Sequence, residues 1–117
     1  MVSVHTLRKL ALSFPEVTEE PHFEKTSFRV KKKIFATYDE ANNRACIKLS
    51  EIDQDVFSLV DQKVIYPVNN SWGKQGWTYI EMNKVGEELF VDALTRAYGQ
   101  VAVRKPGNII QSAEDEL

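Results

Sequence analysis

Residues 26–49 alternate apolar and polar side chains in three short runs, which two turn-like segments separate. The first run, Ser-Phe-Arg-Val-Lys, places Phe28 and Val30 on one side. The second, Lys-Ile-Phe-Ala-Thr-Tyr-Asp, has apolar residues on both sides, and the third, Arg-Ala-Cys-Ile-Lys-Leu-Ser, alternates again. A period of two is typical of β-strands, and connections this short join antiparallel neighbours. The pattern therefore predicts a meander of three antiparallel strands.

Helical patterns and two further strands flank this meander. Residues 3–14 carry apolar side chains at helical spacing behind Ser3, a suitable N-cap, and residues 63–68 and 77–82 are strand-like. Pro67 belongs at a strand end or on an edge, and Asn83 is expected to cap a last helix. Ser50 opens a short helix with an apolar stripe formed by Ile52, Val56, Leu59 and Val60. We predict an α+β fold: an antiparallel sheet of five or six strands with helices packed on one face.

Length and composition favour one domain. A chain of 117 residues with 43% hydrophobic content can build one core, which we place in residues 1–106, before a polar, acidic tail at residues 107–117. The single cysteine, Cys46, excludes an internal disulfide and indicates a packed thiol in a reducing compartment. Nothing resembles a signal peptide or a membrane span, so we expect a cytoplasmic protein. We also expect a monomer or a weak dimer.

Catalytic signatures are missing from the sequence. The two histidines, His5 and His22, have no metal-ligand spacing with each other, with Cys46 or with a carboxylate pair. His5 lies on the polar side of the first helix, and His22 is expected to be structural rather than a proton shuttle. No Gly-x-Ser-x-Gly motif or activated cysteine is present. We therefore expect a protein that is not an enzyme and that holds no metal and no cofactor.

The stretch Phe-Arg-Val-Lys-Lys-Lys-Ile-Phe at residues 28–35 concentrates positive charge. The alternation places Arg29 and Lys31 on a solvent-facing side, with Lys32 and Lys33 at the hairpin tip. The net charge of −2 argues against tight non-specific nucleic-acid binding, but the acids gather elsewhere, so one side should be basic. Such a ribbon could contact nucleic acid, or it could be an edge hairpin that lysines protect from aggregation.

Residues 69–77, Asn-Asn-Ser-Trp-Gly-Lys-Gln-Gly-Trp, allow two interpretations. The spacing is not that of a P-loop, so the glycines at 73 and 76 are expected to let the backbone turn before the strand at Trp77. Trp72 and Trp77 could stack on bases while Lys74 neutralises a phosphate. A tryptophan that enters a strand is more often a core residue at the end of the sheet, so burial is the simpler expectation.

Four motifs occur together: Pro21-His22-Phe23, Ser27-Phe28-Arg29-Val30, Lys33-Ile34-Phe35-Ala36 and Gly76-Trp77. In this combination the chain, from its first helix to Lys105, resembles the MmcQ/YjbR family of small bacterial proteins. The resemblance implies a CyaY-like fold, similar to the double-wing DNA-binding domain of a phage transcription factor, and with it a DNA-binding role. Many members have Lys-x-His-Trp where this chain has Lys-Gln-Gly-Trp, so Gly76 replaces the histidine.

Two functional hypotheses follow. In the first, a DNA-binding domain of modest affinity contacts nucleic acid through Lys25, Arg29, Lys31, Lys32, Lys33, Lys48, Trp72 and Lys74. In the second, a binding module holds a small molecule or a peptide on an aromatic-rimmed sheet face through His22, Phe23, Trp72 and Trp77.

Overall fold

The computed structural model describes residues 1–102, which form an α+β domain with helices packed on a six-stranded antiparallel sheet. This confirms the predicted fold class. The tail predicted at residues 107–117 and the helix end predicted at Pro106 and Gly107 lie outside the described residues. In chain order the elements are α1 (Val4–Ser13), β1 (Val17–His22), β2 (Lys25–Val30), β3 (Lys33–Asp39), β4 (Arg44–Lys48), α2 (Glu51–Val60), β5 (Ile65–Pro67), α3 (Ser71–Lys74), β6 (Trp77–Glu81) and α4 (Glu87–Ala102).

The strand order across the sheet is β1-β2-β3-β4-β6-β5. The first four strands form a meander. After β4, α2 leads the chain to β5 at the far edge of the sheet, and β6 then returns to pair between β4 and β5. The two edge strands are β1 and β5. The β2–β3 hairpin therefore lies inside the sheet, and its interpretation as a protected edge hairpin is wrong.

One face of the sheet packs against α1 and α4 and contains the core. Phe28 lies opposite Ala36 and Ala36 lies opposite Ile47, so these side chains share a face, and all three are fully buried. Phe35 also points inward because a bulge opposite Phe28 shifts the β2–β3 register. Its ring meets Phe14, which follows α1, and Tyr98 of α4 edge to face. These helices thus leave the opposite face of the sheet uncovered.

Sequence reasoning missed two elements. Strand β1 has no alternation, because five of its six residues are polar or proline and only Val17 and His22 are even partly buried. It forms through its full pairing with β2 rather than through its own pattern. The one-turn helix α3 is capped by the Asn70 side chain, which accepts a hydrogen bond from the Trp72 amide at 2.8 Å.

The helix caps were predicted in part. Ser3 and Ser50 cap α1 and α2 as expected, each accepting a hydrogen bond from a backbone amide three residues on. The prediction that Asn83 caps the last helix is wrong. That helix begins at Glu87, and the Asn83 side chain instead accepts a hydrogen bond from Asn43 at 2.8 Å.

Helix α2 is oriented with its apolar stripe toward solvent. It packs against β5 through Phe57 and Gln54, whose side chains are buried. The four apolar residues of the predicted stripe are all exposed. An apolar stripe normally faces the core, so this orientation is the reverse of the usual one.

None of the helices within residues 1–102 is long and apolar enough to cross a membrane.

Candidate ligand-binding face of the sheet

The face of the sheet that α1 and α4 leave uncovered, here called the open face, is defined by the strand register. Ser27 lies opposite Thr37, Thr37 opposite Cys46, and Cys46 opposite Tyr79, so one row of side chains crosses four strands. Side chains alternate along a strand, so residues two positions away point the same way. Trp77 therefore lies on the open face beside Tyr79.

A pocket of about 430 Å³ lies on the open face. It brings together two residues of the predicted nucleic-acid set, Lys25 and Trp72, and three of the predicted ligand set, His22, Trp72 and Trp77, with Trp72 common to both. Sequence reasoning did not include Tyr79 in either set, although its spacing of two residues from Trp77 indicates a shared face. The full lining is His22, Lys25, Ile34, Thr37, Cys46, Val68, Asn70, Trp72, Trp77 and Tyr79.

The two tryptophans are not core residues, so the expectation of burial is wrong. Trp72 is 55% exposed on α3, and Trp77 is half-buried at the start of β6. They lie at the pocket because the segment between them is packed closely onto the sheet. A Cβ on Gly73 would lie 1.9 Å from the Val68 carbonyl oxygen, so only glycine fits.

Position 76 also requires glycine, because of both its backbone conformation and a close contact. Its φ is +105°, a conformation that other residues rarely adopt, and a Cβ there would lie 2.0 Å from the Leu49 carbonyl oxygen. Its own carbonyl accepts a hydrogen bond from the Leu49 amide at 2.9 Å. The sequence-based expectation that these glycines let the backbone turn steeply is consistent with this geometry.

The buried side chain of Gln54, on α2, holds the segment from α3 to the start of β6 through hydrogen bonds. Its amide nitrogen donates to the Gly73 carbonyl at 2.9 Å, the Trp77 carbonyl at 3.2 Å and the Thr78 hydroxyl at 3.1 Å. Helix α2 therefore holds both α3 and the start of β6 in place. A buried amide is stable there because its donors are satisfied.

The predicted cations are distributed over three places. Lys25, Arg29 and Lys48 are on the open face, where they lie opposite His22, Ile34 and Trp77 respectively. Lys74 ends α3 and is exposed.

The predicted hairpin tip is displaced by one residue. Lys31 and Lys32 form the turn, with φ of +52° and +72°, and Lys33 is the first residue of β3. Positive φ at both central residues is typical of a type I′ turn, in which asparagine and glycine are preferred. The assignments of Lys31 to the solvent-facing side of a strand and of Lys33 to the tip are therefore wrong.

Part of the positive charge is already engaged. The Lys31 ammonium lies 3.9 Å from a Glu16 carboxylate oxygen, and both side chains are more than half exposed, which makes the pair weak. The Lys48 ammonium donates to the Gln75 carbonyl at 2.5 Å, and burial lowers the pKa of this lysine. Arg29 donates to the Ser27 hydroxyl at 3.0 Å.

A second cluster occupies the open face toward β5. The Arg44 guanidinium carbon lies 3.8 Å from the centre of the Tyr79 ring, and the Tyr66 hydroxyl donates to a Glu81 carboxylate oxygen. Burial, together with that hydrogen bond, raises the pKa of Tyr66. The cluster fixes one face of Tyr79 and so orients the aromatic wall of the pocket.

Neither a metal site nor a reactive thiol is formed by the residues that the structure describes. Within residues 1–102, no three His, Cys, Asp or Glu side chains are grouped as metal ligands. Cys46 lines the pocket, but burial raises the pKa of its thiol to about 11. The thiol is therefore protonated at neutral pH, which makes it a poor nucleophile.

Phe23 does not line the pocket, in contrast to the other three residues of the predicted ligand set. It lies in the turn between β1 and β2, is 94% exposed, and meets the His22 ring edge to face with the ring centres 4.9 Å apart. Its φ of +61° is unusual for a bulky residue.

The YjbR family model matches residues 12–100, which include every residue of the pocket. The chain belongs to the YjbR family. No curated protein matches it. Among solved structures, it is similar to the crystal structure of the Deinococcus radiodurans protein DR2400, which is described as domain DUF419. The two chains are 21% identical with a TM-score of 0.75, and the similarity covers 96% of this chain and 89% of the other. At this identity the likeness concerns the fold.

The backbone at position 76 of this YjbR-family chain does not admit the histidine that the resemblance implies for other members. A histidine side chain at position 76 would begin with the Cβ that the Leu49 carbonyl excludes. In this chain, any contribution of an imidazole to the pocket must come from His22, which lines it from β1.

Proposed function

We propose that this chain is a non-catalytic binding protein whose open-face pocket holds a nucleotide unit of a single-stranded nucleic acid. The observation that carries the proposal is the pocket itself, where a lysine and a histidine lie beside two tryptophans and a tyrosine. Proteins that bind single strands combine stacking surfaces for bases with cations for the phosphates. This pocket has both.

The distribution of charge supports modest binding of a single strand, to which base stacking contributes, and argues against tight electrostatic binding of any polyanion. Lys25, Arg29 and Lys48 line one surface, but the net charge is −2 and two of these cations already contact protein oxygens. Few free cations mean few displaced counterions, so affinity should be modest and weakly dependent on salt. Stacking on Trp72 and Trp77 would then supply a large share of the binding free energy.

Intrinsic fluorescence tests the proposal directly, because the chain has two tryptophans and both line the pocket. We expect a twelve-residue oligothymidylate to quench the emission at low salt, and the same length of duplex to quench it far less. An absence of quenching by the single strand at low salt would rule the proposal out.

Two variants separate stacking from charge. Trp72→Ala should weaken binding by about 5- to 150-fold, since one stacked base contributes about 1–3 kcal/mol. Lys25→Gln should weaken binding of all sequences and flatten the salt dependence by about one unit. The matched control is Lys9→Gln, which removes the same charge from an exposed position on α1, across the sheet from the pocket.

Free thymidine monophosphate tests whether the pocket binds a free nucleotide or only a nucleotide within a strand. If it quenches as well as the oligonucleotide at equal nucleotide concentration, the pocket serves a small ligand, as in the second sequence-based hypothesis. If only the strand quenches, neighbouring units must bind along the open face.

A second candidate function is contact with duplex DNA through the hairpin tip. The observation that favours it is the unusual backbone there, since Lys31 and Lys32 both hold a conformation better suited to Asn-Gly. Strained residues are frequent at functional sites. Replacing this pair by Asn-Gly should abolish duplex binding in a gel shift while leaving quenching by the single strand unchanged; duplex binding that survives would exclude the tip.

A further inference from the structure

Helix α2 presents an apolar stripe to solvent. Ile52, Val56, Leu59 and Val60 are 74, 54, 77 and 61% exposed, and no other element within residues 1–102 covers them. They recur at helical spacing and lie opposite Gln54 and Phe57, which attach α2 to the sheet. Isolated apolar residues on a surface need no explanation, but a contiguous stripe marks an interaction site.

The surroundings of the stripe are acidic. The segment from residue 51 to residue 61 contains four carboxylates and no lysine or arginine. Glu51 and Asp55 lie along one border of the stripe, where they also line a groove of about 730 Å³ between α2 and residues 67–74. Lys74 is the one cation that lines this groove, so its two carboxylates outnumber it. The surface is thus apolar along its centre and negative along its border.

This charge pattern decides which occupant fits. A second copy paired through the same helix would place two acidic segments, each with four carboxylates and no lysine or arginine, beside one another, and like charges in proximity are unfavourable. Nucleic acid and anionic membranes would be repelled for the same reason. A protein helix with an apolar face bordered by lysine or arginine would complement both features.

We propose that the α2 stripe is a docking surface for a basic amphipathic helix of a partner protein. The stripe extends about two turns, from Ile52 to Val60, which matches the short apolar face of such a helix. Lysine side chains of the partner would reach Glu51 and Asp55 in the groove. No residue of the stripe lines the open-face pocket, although Val68 and Asn70 line both that pocket and the groove beside α2.

A synthetic helical peptide of eighteen residues tests the proposal, with leucine on one face and lysine on both borders. A second peptide replaces every lysine by glutamate, and a third keeps the composition of the first but scatters the leucines. Fluorescence anisotropy of the labelled lysine peptide should show saturable binding at low micromolar protein. The glutamate and scattered peptides should bind at least tenfold more weakly.

Variants of the full chain locate the site. Ile52→Gln combined with Leu59→Gln should weaken binding of the lysine peptide at least tenfold, and Glu51→Gln combined with Asp55→Asn should weaken it several-fold and reduce its salt dependence. Leu12→Gln, which alters an exposed apolar residue on α1, is the control and should change nothing. Thermal unfolding verifies that each variant is folded.

Three results would overturn the proposal. The lysine peptide could fail to bind, or it could bind the Ile52 and Leu59 variant as tightly as the wild type. Sedimentation could also reveal a wild-type dimer that this variant abolishes, which would make a second copy the occupant.

Discussion

Gly76→Ala should be among the most destabilising single-methyl changes in this chain. The residue has φ of +105°, and the added Cβ would lie 2.0 Å from the Leu49 carbonyl oxygen, a backbone atom that cannot rotate away. The unfavourable backbone conformation costs about 1–2 kcal/mol, and overpacking adds about 1–3 kcal/mol. The free energy of unfolding should therefore fall by about 2–5 kcal/mol, a large part of the roughly 5–15 kcal/mol typical of a domain.

Gly99→Ala is the matched control, because nothing lies within 4 Å of a Cβ at that position in α4. Alanine is the better helix former, so this variant should gain about 0.5–1 kcal/mol. Urea unfolding followed by circular dichroism measures both, and the midpoint of Gly76→Ala should fall by about 1–3 M. Equal midpoints for Gly76→Ala and the wild type would refute the close contact between Gly76, just before β6, and Leu49, just after β4.

Two further variants and one labelling experiment test other parts of the structure. Phe23→Gly should stabilise the fold by about 0.5–1 kcal/mol in thermal unfolding, because glycine adopts positive φ freely; an unchanged or lower stability would contradict the turn conformation. Cys46 should react with iodoacetamide about 100-fold more slowly than a free thiol near pH 8, since burial raises its pKa from 9.0 to about 11. The stabilisation from this neutral thiol is present below pH 9 and is lost as the pH rises toward 11, and rapid alkylation at pH 8 would disprove the burial. Gln54→Leu should cost about 1–3 kcal/mol in urea and shift the tryptophan emission, because three acceptors each lose one hydrogen bond and the Gly73 and Trp77 carbonyls keep only their backbone donors; unaltered emission would show that Gln54 does not fix the tryptophans.

The parts of the fold that the sequence predicts well are those where local pattern and tertiary packing agree. The meander from β2 to β4 alternates because one face packs on helices and the other is open. Ser3 and Ser50 are caps because their hydroxyls meet amides of their own helix, which is a local interaction. Pro67 ends β5, an edge strand, where its missing amide proton is tolerated.

The parts that the sequence does not predict depend on partners distant in the chain. Strand β1 has no pattern of its own and exists through its pairing with β2. The stripe of α2 looks like a core face, yet Gln54 and Phe57 attach the helix, because the groups that Gln54 must satisfy are on β6 and α3. The pocket joins residues 22 and 79, which only the strand order brings together.

Tryptophan spacing alone could not distinguish a core from a binding surface. The sequence shows Trp72 and Trp77 five residues apart, and burial was the simpler expectation. Their exposure is related to the two glycines. Gly73 and Gly76 let the backbone approach Val68 and Leu49 closely, and the indole rings then lie on the surface rather than in the core. Close backbone contacts of this kind have no periodic signature.

Photo-crosslinking tests the central claim most directly. An oligothymidylate carrying one 4-thiothymidine would be irradiated with the protein, and the products digested with trypsin and mapped by mass spectrometry. Crosslinks should fall in the adjacent tryptic peptides 64–74 and 75–84, which carry Trp72, Trp77 and Tyr79. Crosslinks confined to peptide 49–63 of α2 or peptide 85–96 of α4 would contradict binding on the open face of the sheet.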